Sequence, residues 1–105
     1  MDIELLYKSI TAGDNIFLDY FIIPESISAD YCDLKCYGIK IQKTTIYEGG
    51  GKIVESNQIN NVFYRSKDAN DFLDHIVTKK VLPCNLRTEV ENYIVESIDR
   101  AKRSA

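Results

Sequence analysis

Up to about Arg65 the chain is written in short apolar runs rich in Ile, Val, Tyr and Phe, separated by turn residues. Beyond Ser66 the apolar positions recur at helical spacing. A β-rich half followed by a helical half predicts an α+β fold rather than alternating β/α units. The first run, residues 3–10, ends at the turn signal Ala12-Gly13-Asp14-Asn15. The second, residues 16–23, is interrupted only by Asp19, which predicts a central strand or one covered on both faces. It is expected to stop at Pro24, which cannot donate to a sheet ladder, and residues 25–33 read as a loop. Residues 34–47 read as one long strand or a bent pair. Tyr37, Ile39 and Ile41 share one face of it, with Lys40, Gln42 and Lys43 mostly on the other. Gly38 inside this run marks a bulge or a close approach of backbone. The connection Glu48-Gly49-Gly50-Gly51-Lys52 reads as a flexible hairpin tip. Strand residues resume at Ile53-Val54 and again, past the polar Ser56-Asn57-Gln58, over 59–64.

Ser66 is the expected N-cap of a first helix, with Asp68 and Asp71 in its opening turns, where negative charge is favoured. Ala69, Phe72, Leu73, Ile76 and Val77 form its apolar face up to about Lys80, and Val81-Leu82-Pro83 ends it. Pro83 or Asn85 opens a second helix whose stripe is Leu86, Val90, Tyr93, Ile94 and Ile98. The expected architecture is an N-terminal antiparallel β-meander of about four to six strands with two C-terminal helices packed on one face. Its 105 residues read as one domain, with a β part over 1–65 and a helical part over 66–105. A chain this long supports one core but not a large buried cavity as well.

Charge narrows the class. Thirteen basic against sixteen acidic residues give a net charge of −3, the wrong sign for a domain that neutralises phosphates, so nucleic acid ranks low as a partner. The cluster Arg100, Lys102 and Arg103 fits the last turn of a helix. No apolar run is long enough to cross a bilayer, and the acidic Met1-Asp2-Ile3-Glu4 start is unlike a secretory signal; a cytoplasmic location is expected. Three cysteines, an odd number, do not make a secreted disulfide framework. The aromatic set is unusual in holding seven Tyr, four Phe and no Trp. Tyr is a favoured interface residue, so Tyr20, Tyr31, Tyr37, Tyr47 and Tyr64, all in or near the sheet half, are the candidate partner surface.

The remaining constellations point away from an enzyme. Gly49-Gly50-Gly51-Lys52 lacks the earlier glycine and the following Ser or Thr of a phosphate loop; Ile46 and Ile53 stand there. Cys32 and Cys36 lie roughly 13 Å apart along an extended strand, too far for a disulfide. A zinc site would have to combine Cys32, Cys36, Cys84 and His75 without any CxxC or HxxxH pair, so no metal is assigned. Cys84, beside a helix start, is a candidate reactive thiol. His75 falls between the apolar and polar faces of its helix, and no nucleophile framework accompanies it. No catalytic or cofactor-binding set follows.

The segments Tyr37-Gly38-Ile39-Lys40-Ile41 and Val81-Leu82-Pro83-Cys84-Asn85-Leu86, the latter followed by Val90-Glu91-Asn92-Tyr93, resemble a family of small uncharacterised proteins of Clostridia and related Firmicutes. The resemblance spans roughly residues 14–98 and implies a bacterial cytoplasmic setting; it supplies no site residues. The expected function is that of a small non-enzymatic interaction or regulatory module. It would bind a protein partner, a homodimer first, through a Tyr-bearing sheet surface or an edge strand. The alternative is a small-ligand-binding domain or minor enzyme using a cleft between sheet and helices, with Cys84 and His75 among its polar groups. A weaker third reading is nucleic-acid binding through Lys35, Lys40, Lys43 and Lys52 on one side of the sheet.

Overall fold

The elements follow in the order β1 (Leu5–Gly13), β2 (Ile16–Ala29), β3 (Cys32–Ile46), β4 (Lys52–Phe63), α1 (Ser66–Thr78), a 3-10 turn (Pro83–Asn85) and α2 (Leu86–Ser104). The computed structural model describes residues 3–29 and 32–104, with side chains described over 3–26 and 34–98. The four strands form an antiparallel meander in the order β1-β2-β3-β4, with the helices after it: an α+β fold.

Two turns set the register. Gly13 pairs with Ile16, so Asp14 and Asn15 alone close the first hairpin, and Asn15 takes φ 62, a conformation Asn tolerates better than most residues. Between β3 and β4, Gly49 and Gly50 adopt φ 91 and 93, which an L side chain rarely does, and the Tyr47 N–H donates to the Gly51 carbonyl at 2.7 Å. Once register is fixed, the strand period of two sorts the side chains. Tyr20 pairs with Ile41, Ile22 with Ile39 and Ile39 with Ile59, which puts these residues and Leu18 on one face. That face meets Ala69, Phe72, Leu73 and Ile76 of α1 and Leu86 and Val90 of α2 in one buried cluster. Fully burying each large side chain contributes about 1.5–3 kcal/mol.

Two tyrosines tie the layers together. Tyr20, wholly buried, donates its hydroxyl to the Val81 carbonyl at 3.0 Å. Tyr7, at a β1 bulge, donates to the Asp74 carboxylate on α1. Burial pushes the Tyr20 phenol up to about 12, and the hydrogen bond to Asp74, with burial and the charges of Asp74 and Asp71, does the same for Tyr7.

The structure corrects several boundaries. β2 does not stop at Pro24 but runs to Ala29, pairing with β3 as far as Ala29↔Cys32, so the expected loop over 25–33 is largely ladder. The reason is position: the described β1–β2 pairing begins at Leu5↔Ile22, beyond which β2 has one neighbour and a residue without an N–H can face the open side. β4 is one strand across Ser56-Asn57-Gln58, since an edge strand accepts polar residues; Asn57 Nδ2 donates to the Pro83 carbonyl at 3.1 Å. Ser66 is the first helical residue of α1, and the cap is Arg65, with no side-chain cap bond.

Candidate interaction surface

Only the first half of α2 is packed into the core. Leu86 and Val90 are buried in the shared core, and Tyr93 packs edge-on against Phe72 at 5.1 Å and Phe63 at 6.1 Å between ring centroids. The following turns lie beside the end of β4. Ile94 and Ile98, expected as part of the core stripe, are 40% and 49% exposed, and Val95 is 57% exposed. At 100° per residue, Tyr93 and Val95 stand about 200° apart around the helix, twice the arc that one core face needs. That width is the sequence signal for a second apolar stripe, and reading Leu86 to Ile98 as a single stripe missed it.

Ile94 and Ile98 form one wall of an open groove of about 620 Å³. The end of β4 supplies Val62 and Phe63, Tyr64 stands at the rim 65% exposed, and Arg65 and Asp68 bring one charge of each sign to the start of α1. The helix is held by apolar and ionic contacts with α1. Glu89 accepts from Lys79 Nζ at 3.0 and 3.1 Å and lies 3.5 Å from His75 Nε2, and the His75 ring sits 5.6 Å from that of Tyr93. His75 is therefore placed in a helix–helix contact and not in the cleft that holds Cys84.

The candidate tyrosines do not share one face. Tyr20 lies in the core, and Tyr37 is half-buried against it on the helix side. Tyr47 is exposed after β3, and Tyr64 is exposed at the other end of β4. Tyr31 lies outside the described residues. The expectation of one Tyr-bearing sheet surface is corrected by register: the period of two and the helical layer consume the inward-facing rings. Cys84 is exposed and lines a separate open cleft with Lys43, Asn57 and Pro83. Cys36 is buried on the opposite sheet face, its thiol 3.0 Å from Asn61 Oδ1, and burial with the nearby Glu25 carboxylate raises its pKa. Among the described residues no three His, Cys, Asp or Glu side chains converge on a point where a metal could sit. The four lysines divide between faces. Lys40 pairs across from Phe21 and Lys43 from Leu18, on opposite sides of β2, and their amines meet Glu4 at 2.9 Å and Glu55 at 3.8 Å. Among the described residues no helix is long and apolar enough to cross a membrane.

Compared with known proteins, the chain matches the sequence model of a family of unknown function (DUF6514) over residues 1–96. No curated protein and no solved structure matches it.

Proposed function

Since the chain belongs to the family of unknown function DUF6514, its activity has to be argued from geometry, and we propose a small non-enzymatic module that binds a protein partner. The setting proposed is the cytoplasm of a Clostridia-type Firmicute. The observation that carries the reading is the open groove in which Ile94, Ile98 and Tyr64 stay exposed beside Arg65, Asp68 and Ser97, three large side chains that the chain's own core leaves uncovered. The partner chemistry it fits is an apolar helical segment laid along α2. Of the candidate tyrosines Tyr64 belongs to this surface. An edge-strand mode is less favoured, because β1 bulges at Tyr7 and near Ala12 and β4 shifts register opposite Gly38, which blunts both edges.

Affinity capture from producing cells, with wild type beside an Ile94→Asp/Ile98→Asp variant of unchanged circular dichroism, tests the reading. A protein held in fixed ratio by wild type and lost from the variant is the expected result. Equal recovery with both chains, or a small molecule released on denaturation in place of a protein, would overturn it in favour of the ligand-binding alternative.

A further inference from the structure

We draw no further inference here: the strongest candidate, the open groove between the second half of α2 and the end of β4 in which Ile94, Ile98 and Tyr64 stay exposed, belongs to the surface already described, and nothing in the structure shows what covers it.

Discussion

Gly38 shows how much one residue can fix. A Cβ built there would lie 2.9 Å from the Ile59 carbonyl oxygen and 3.2 Å from the Asn60 Cα, both backbone atoms that cannot swing aside. The ladder shifts register at that point, between Tyr37 and Ile39, and Asn61 of the facing strand takes φ 57. The reading of Gly38 as a bulge or close-approach point was therefore correct, for the reason a strand glycine suggests. Gly38→Ala is expected to destabilise by about 1–3 kcal/mol, through strain and not through a lost contact, as a lowered denaturant midpoint with unchanged m-value would show. The same residue-level logic failed at Pro24. Its missing N–H was legible, but whether that N–H would have faced a neighbour depends on where β1 begins to pair, which lies some twenty residues away along the chain.

At the level of elements, the contact between α1 and α2 is held mainly by rings. Phe72 is wholly buried with Phe63 at 5.4 Å and Tyr93 at 5.1 Å, while the Lys79–Glu89 pair sits where Lys79 is half exposed. Phe72→Ala is expected to cost about 3–5 kcal/mol. Glu89→Gln is expected to cost less than about 1 kcal/mol, because the Lys79 end of the pair is half exposed and a glutamine of the same shape keeps an oxygen for it. Paired urea melts decide the ranking, and a larger effect at Glu89 would show that the ions dominate. Helical spacing gave α1 its buried face correctly, since Ala69, Phe72, Leu73 and Ile76 are all in the core. It gave α2 too broad a face. Period alone cannot tell an apolar residue that the core covers from one it leaves open, and Ile94 and Ile98 stay exposed beside the end of β4.

The whole molecule is a thin plate, 54 × 36 × 17 Å, the depth of one sheet and one helical layer. Tyr7 and Tyr20 join these layers by hydrogen bonds that require their protons, and both phenols titrate near 12 in the folded chain against about 10 when free. Raised folded values mean that this contribution is complete below pH ~10 and is lost as pH climbs towards ~12. Alkaline unfolding in that window is therefore expected, with two of the seven tyrosines ionising together with the loss of helical signal. A smooth tyrosinate titration with the fold intact would refute the coupling. The chain carried in its own pattern the order of its elements, both closing turns of the described hairpins and the inward faces of β3 and α1. All of these follow from local period, turn chemistry and spacing. Which tyrosines are covered, how far β2 extends and which side of α2 stays open were set by how long sheets and helices overlap once packed. Overlap compares positions distant in sequence, and no local period records it.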